Sequence, residues 1–311
     1  MKKTQLSIII PHYNNSDGLR RLLASIPSDP NIEVIVIDDH SNNQIELINS
    51  WKQEYSNRNI SFLHNNLPDN SPGICRNIGI NQAHGKYLLF ADSDDYFINN
   101  WWDTVSKFME KDYDLIFFPP TSINESTNQI GKRHIAGQTI LENYISQKDR
   151  FSELCLRYSY CSPCSKLVLR ELLTQHDIRF DEILTSEDTM FSFYCGHYAA
   201  SIYCEMTPIY CITETDTSLT SKRTPKTEAI RNKTKLRRFL ALRSIVSTRE
   251  LSALGYDNFI NNLFFDSISN GISWTDINEL AKIIRYERIR LLFSDNLSIT
   301  TLIKALIKRI L

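Results

Sequence analysis

The densest group of side chains able to do chemistry is Asp92-Ser93-Asp94-Asp95. Three carboxylates so close together repel one another unless a cation joins them, and hard oxygen donors suit Mg2+ or Mn2+ better than zinc. The plainer use of the same residues is a solvated turn, with Asp94 or Asp95 capping the next helix. A second acidic pair, Asp38-Asp39, closes another apolar run. Arg76 follows Pro72-Gly73, so it is expected in the first turn of a helix, where the dipole disfavours a cation. Such an arginine calls for an anionic partner, either a carboxylate of the acidic cluster or a phosphate. Cys161 and Cys164 have the spacing of half a zinc site, but no second pair follows, and buried thiols are the simpler reading.

The elements that must position these groups follow from the apolar pattern. Residues 87–91 form a short continuous apolar run, as in a strand buried on both faces of a parallel sheet. That places residues 92–95 at a carboxyl end, where open α/β sheets bind ligands. Residues 6–10 predict a first strand ended by Pro11, followed by a helix capped by Ser16 or Asp17 with Leu19, Leu22, Leu23 and Ile26 on its apolar face. Residues 32–37 predict a second strand, 44–55 a helix and 60–64 a third strand. This alternation implies right-handed crossovers and a mostly parallel, Rossmann-like α/β sheet. The turn Pro11-His12-Tyr13-Asn14-Asn15 contains no glycine, which argues against an ordinary dinucleotide site.

The whole chain sets further bounds. Its 311 residues are 42% hydrophobic, enough for one large domain and an appendage. A formal net charge of −1 excludes nucleic-acid binding by bulk charge. Seven scattered cysteines point to reduced thiols in a cytoplasmic protein. The apolar run after Met1-Lys2-Lys3 ends too early at Pro11 for a signal peptide, and no stretch approaches the ~20 apolar residues of a membrane span. Between Lys222 and Arg249 the basic residues face a single acid, Glu228. That run reads either as a solvated helix face or as a flank for membrane phosphate. Residues 251–311 are helical in pattern. At their end Ile299, Leu302, Ile303, Leu306, Ile307 and Ile310 share one face, suited to packing or to lying on an anionic membrane.

The motifs, in their order, resemble an inverting glycosyltransferase of family 2 with the GT-A fold, of the kind that builds bacterial surface polysaccharide such as O-antigen or capsule. The resemblance is carried by Ser7-Ile8-Ile9-Ile10-Pro11-His12-Tyr13-Asn14-Asn15, Val36-Ile37-Asp38-Asp39-His40-Ser41, Arg76-Asn77-Ile78-Gly79, Gly85-Lys86-Tyr87 and Ala91-Asp92-Ser93-Asp94-Asp95. A later block, Ser165-Lys166-Leu167 through Ser186-Glu187-Asp188-Thr189-Met190-Phe191, resembles the acceptor half, and Ser218-Leu219-Thr220 the segment that closes over the acceptor. His40 stands where the family usually has glycine, His12 where threonine is common, and Cys75 where alanine is common.

The resemblance implies a GT-A domain over residues 1–220, with 1–118 holding the nucleotide sugar and 119–220 the acceptor, and a helical accessory region over 221–311. It implies transfer of a hexose from a UDP-sugar to a lipid-diphosphate-linked saccharide in one metal-dependent displacement. Pro11, Tyr13, Asn15, Asp38, Asp39, Arg76, Asp92 and Ser93 would bind the nucleotide sugar, and Asp94 with Asp92 would hold Mn2+ or Mg2+. Asp188 would be the general base, with adjacent Glu187 as the alternative. Work at the inner face of a bacterial cytoplasmic membrane follows, as a peripheral protein. The competing expectation from another class is a catalytically silent carbohydrate-binding or scaffold protein on the same fold.

Overall fold

A computed structural model describes residues 4–42, 45–214 and 223–287. They fall into two compact units, one within Met1–Asp216 and one within Thr217–Leu311. The expected division at 220/221, Ser218-Leu219-Thr220 and the terminal stripe from Ile299 lie outside the described residues.

The first unit begins with β1 (Leu6–His12), α1 (Ser16–Ala24), β2 (Ile32–Asp38), α2 (Ile45–Glu54), β3 (Ile60–His64), α3 (Pro72–Gln82) and β4 (Tyr87–Phe90). It continues with β5 (Tyr96–Phe97), α4 (Trp101–Val105), β6 (Leu115–Phe117), β7 (Pro120–Asn124), β8 (Gln129–Ile130), α5 (Ile135–Gln147), α6 (Arg150–Ser159) and β9 (Lys166–Leu169). It closes with α7 (Arg170–Gln175), α8 (Asp188–Tyr198), β10 (Ile202–Cys204) and β11 (Tyr210–Glu214).

Seven strands form the main sheet in the order β10-β6-β9-β4-β1-β2-β3, all parallel except β9, which runs against both neighbours. This is the mostly parallel sheet that the sequence predicts. Alternate residues of β1 face opposite layers, as a pleated strand requires. Ile8 and Ile10 pack with Leu19, Leu22 and Leu23 of α1, whereas Ile9 packs with Cys75 and Ile80 of α3. At Gly79 a Cβ would stand 2.3 Å from Ile9 Cγ2, so only glycine lets α3 lie this close to β1. The second sheet, β5-β11-β7-β8, has no counterpart in the sequence reading.

Register decides where the functional loops meet. His12 pairs with Asp38 across β1 and β2, and Ile9 pairs with Phe90 across β1 and β4. The carboxyl ends of all three strands therefore lie along one edge. Asp39 N donates to His12 O at 2.7 Å, and Ala91 N to Ile9 O at 3.1 Å.

Three local expectations are corrected. β1 does not end at Pro11 but runs through it to His12. The odd-numbered residues of β1 bond on the β4 side, where that pairing ends at Ile9–Phe90, so the donor that proline lacks terminates the β4 ladder and spares the β2 ladder. α1 is capped by Asn15, whose Oδ1 accepts from Gly18 N at 3.2 Å, not by Ser16 or Asp17. Arg76 falls beyond the first turn of α3, which opens with Pro72 behind the cap Ser71.

The second unit consists of α9 (Pro225–Arg243), α10 (Thr248–Ala253), α11 (Phe259–Ser269) and α12 (Trp274–Tyr286) around Leu236, Phe239, Leu263 and Leu280. Part of its basic run is internal. Arg231 pairs with buried Glu228 at 2.8 Å, and Lys233 with Asp276 and Glu279 at 2.9 and 2.7 Å. Among the described residues no helix is long and apolar enough to cross a membrane.

Candidate functional site

The site begins at the ends of β1 and β2. Asp38 and Asp39 are both buried. Asp38 Oδ2 accepts from Ser41 N at 3.1 Å and lies 3.6 Å from His64 Nδ1, while its Oδ1 has no hydrogen-bond partner. Asp39 Oδ1 accepts from Asn65 Nδ2 at 2.8 Å and lies 3.8 Å from His40 Nδ1. His40 itself has φ of 65°, the left-handed region that favours glycine. The loop thus keeps a glycine-like turn while carrying an imidazole at its rim. Opposite, Tyr13 is half-exposed, Asn14 N donates to Ser41 Oγ at 2.8 Å, and Pro11 is buried within the strand. Asn15 is committed to its cap, and its Nδ2 reaches Ser93 O at 3.5 Å.

Just past β4, the carboxylates of Asp92, Asp94 and Asp95 have oxygens within 4.8 Å of one another. They are not equivalent. Asp95 is buried and already satisfied, accepting from Tyr210 OH at 2.8 Å and from Thr213 N at 2.7 Å. The same phenol oxygen accepts from Asp92 N at 2.8 Å, so one side chain of β11 fixes both ends of the acidic turn. Neither Asp94 nor Asp95 caps the next helix; α4 starts behind Asn100, which makes no side-chain cap. Arg21 braces the turn from outside, donating to Asp94 O, to Thr213 Oγ1 at 3.3 Å and to Glu125 at 2.8 Å. Burial and then the charge of Asp92 push the Asp94 carboxyl up to about 6. An all-carboxylate set under such repulsion fits Mg2+ or Mn2+, with Asp94 and the second oxygen of Asp92 as the available ligands.

Arg76 joins this turn to the start of α8. The residue is 4% exposed; Nη2 donates to Asp92 Oδ1 at 2.6 Å and Nη1 to Glu187 Oε1 at 2.7 Å, and the guanidinium lies 5.2 Å from the centre of the Phe180 ring. Burial alone would weaken its charge, but the two carboxylates outweigh burial and keep it protonated. The expected anionic partner is thus a pair, of which Glu187 was not foreseen as one. The segment before α8 is clamped on α3. Asn77 exchanges two hydrogen bonds with the Phe180 backbone, at 3.0 and 2.9 Å, and Ser71 Oγ donates to Ile183 O at 2.7 Å. A Cβ at Gly73 would stand 2.1 Å from Asp181 O.

Asp188 opens α8 beside Glu187. Burial, then the charge of Glu187, push its carboxyl up to about 7 against the pull of Arg76. A carboxyl poised there, partly open to solvent, is suited to taking a proton near neutral pH. Sequence reasoning missed Tyr210, Thr213 and Arg21. None carries a local signal, since Arg21 reads only as the polar side of α1. The cysteines are all free thiols, and among the described residues the acidic turn is the only group with metal-ligand geometry.

Comparison with known proteins identifies the family and the fold. Residues 7–176 match the family model Glycosyl transferase family 2. The chain is 26% identical over 196 residues to the poly(ribitol-phosphate) β-N-acetylglucosaminyltransferase TarS of Staphylococcus aureus, a match over 60% of this chain and 32% of TarS. It is 34% identical over 97 residues to the poly(ribitol-phosphate) β-glucosyltransferase of Bacillus spizizenii, over 30% of this chain and 15% of that protein. The chain thus spans about a third or less of the length of these relatives. Among solved structures, TarS 1–349 in complex with UDP-GlcNAc superposes with a TM-score of 0.58 at 21% identity, over 89% of this chain and 83% of that one. The mannosyltransferase PcManGT of Pyrobaculum calidifontis, in complex with GDP-Man and Mn2+, gives 0.57 at 14% identity, over 100% and 88%. These likenesses establish the GT-A fold, with its mostly parallel sheet.

Proposed function

Because the chain belongs to glycosyl transferase family 2, we propose that it is an inverting transferase moving a hexose from a UDP-sugar to a hydroxyl of a lipid-diphosphate-linked saccharide in surface-polymer synthesis. One observation carries the reading. Arg76 gives one hydrogen bond from each terminal nitrogen, to Asp92 and to Glu187, which joins the acidic turn to the start of α8 and leaves Asp188 outside that pairing. Asp188, not Glu187, is therefore the general base. It takes the proton of the acceptor hydroxyl as that oxygen attacks the anomeric carbon from the face opposite the diphosphate, so the configuration inverts.

Donor binding belongs to the ends of β1 and β2. The unpartnered Oδ1 of Asp38 and the neighbouring Asp39 supply acceptors for the N–H of a uracil and the hydroxyls of a ribose. Mn2+ or Mg2+ held by Asp94 and Asp92 would, when bound, neutralise the diphosphate that leaves. Arg76 keeps Asp92 oriented toward that position. Asp95 acts through Tyr210 and Thr213 to hold the turn's shape.

The relatives named for poly(ribitol-phosphate) favour a second acceptor, a hydroxyl on a polyol-phosphate chain. Exposed Arg223, Lys226, Lys235, Arg237 and Arg243 suit either a phosphate-bearing acceptor or the anionic inner face of a bacterial membrane. The test is a screen of nucleotide sugars for UDP release by purified protein, with and without each acceptor. Acceptor-dependent release that Asp188→Asn abolishes supports the transferase. Binding of UDP-sugar with no release on any acceptor supports the silent carbohydrate-binding alternative.

A further inference from the structure

The acidic turn is held at its two ends by β11. Tyr210 OH accepts from Asp92 N and donates to Asp95 Oδ2, both at 2.8 Å, and Thr213 N donates to Asp95 Oδ1 at 2.7 Å. The middle of the turn is held by α1 instead. Asn15 Nδ2, at the cap of that helix, reaches Ser93 O at 3.5 Å. Arg21 Nη2 donates to the next carbonyl, Asp94 O, and also to Thr213 Oγ1 at 3.3 Å. Its other terminal nitrogen bonds Glu125 Oε1 at 2.8 Å, just past β7, and the guanidinium lies 5.5 Å from the centre of the Tyr96 ring.

Between Asn15 and Arg21 stands Gly18, and the three residues recur every third position along one side of the helix. A Cβ at Gly18 would stand 2.6 Å from Ser93 O, so α1 lies against the turn as closely as a glycine permits. The bond to Asp94 O has a direct consequence for the Asp94 carboxylate. That oxygen belongs to the planar peptide after Asp94, so fixing it sets ψ of Asp94 and the direction of its side chain. By charge alone, a guanidinium beside a cation site would weaken cation binding. By position, it strengthens binding, because the ligand is ordered before the cation arrives. The two effects have opposite signs, and Glu125 on the outer nitrogen offsets the charge.

We propose that Arg21 is a positioning residue for the cation site: from the Asn15–Gly18–Arg21 side of α1 it fixes the Asp94 backbone and so aims the carboxylate that takes the metal. The inference rests on Asp94 and Asp92 being the metal ligands. Arg21 bonds no ligand carboxylate itself and acts through the backbone of Asp94.

The test is Mn2+ binding by the intact chain with UDP present, read from the electron paramagnetic resonance of unbound Mn2+, which needs no turnover. Arg21→Met weakens Mn2+ binding about tenfold, the lower end of what losing a group that orients a metal ligand costs. Arg21→Lys keeps the charge but not the planar fork, and weakens it by less. Turnover then reaches half its maximum at about tenfold higher Mn2+ and recovers at saturating Mn2+. A role in stability alone lowers the urea midpoint and leaves the Mn2+ affinity level, and that result overturns the inference. Tighter Mn2+ binding by Arg21→Met also overturns it, since charge would then outweigh position. Gly18→Ala keeps the guanidinium but crowds Ser93 O, and it serves if the arginine variants do not fold: weakened Mn2+ binding supports the inference, and unchanged affinity overturns it. A parent chain that takes up no Mn2+ with UDP removes the metal reading itself and this inference with it, whereas Mn2+ uptake equal in parent and variants removes the inference alone.

Discussion

Arg76 Nη1 lies 2.7 Å from Glu187 Oε1, with 5% and 12% of the two side chains exposed, and this pair joins α3 to the start of α8. Removing one member of a buried pair leaves the other charge uncompensated and costs about 3–5 kcal/mol. Arg76→Met is therefore expected to lower unfolding stability by roughly that amount, and adding Glu187→Gln to recover part of it. Urea titration of the parent, both single variants and the double variant checks this. Additive losses would mean that the pair does not couple the two helices.

The proposed roles of the two adjacent acids, Asp188 as base and Glu187 as partner of Arg76, predict different losses. Asp188→Asn should retain UDP affinity by calorimetry and lose transfer by roughly a hundredfold or more, because only the acceptor proton loses its destination. Glu187→Gln should show the reverse emphasis: lower stability from a weakened Arg76 contact, with a milder fall in turnover. A Glu187→Gln protein that is stable but inert would reverse the assignment.

The raised Asp188 carboxyl gives two opposite pH trends. It titrates at about 7 in the folded chain, against about 4 for an unfolded aspartate. The folded state holds the proton more tightly, so this group's contribution to stability is largest below about pH 4 and declines as pH rises through 7. Turnover needs the carboxylate and should climb with pH through that same region. The charge of Asp92 also raises Asp188, so a cation bound at Asp92 and Asp94 should draw the limb to lower pH. Turnover–pH profiles at two Mn2+ concentrations test the sign, and a limb that moves upward with Mn2+ contradicts it.

Within the acidic turn, Asp94 and Asp95 should fail differently. Asp94→Ala should leave the fold intact and reduce turnover about a hundredfold, as should EDTA, with added Mn2+ restoring only the parent. Tyr210→Phe removes the phenol shared by Asp95 Oδ2 and Asp92 N. It should lower stability by about 1–3 kcal/mol, the range for stranding buried polar groups. Thermal melts alongside metal-dependence curves separate the two effects. An Asp94→Ala chain that is fully active in EDTA would remove the metal from the scheme.

The features legible in the sequence are those whose physics is local. A strand buried on both faces must be apolar without interruption, so residues 87–91 declared β4 and put the carboxylates at its end. The α/β alternation declared the parallel sheet, and an arginine near the start of α3 demanded an anion. What remained hidden depends on which distant residue arrives. Glu187 reaches Arg76 across 111 residues, and Tyr210 and Thr213 reach Asp95 across 115 and 118. Adjacent acids look alike in a sequence until an arginine claims one of them. Pro11 read as a strand end because its missing donor matters only on the β4 side of the ladder, and no sequence shows which side that is. Two-residue strands such as β5 and β8 have no period to detect, so the second sheet exists only through its pairing. The sequence by itself therefore determined the class of fold and the kinds of groups at its edge. Only the tertiary structure decided which carboxylate pairs with Arg76 and which one Tyr210 and Thr213 hold, because those contacts are long-range.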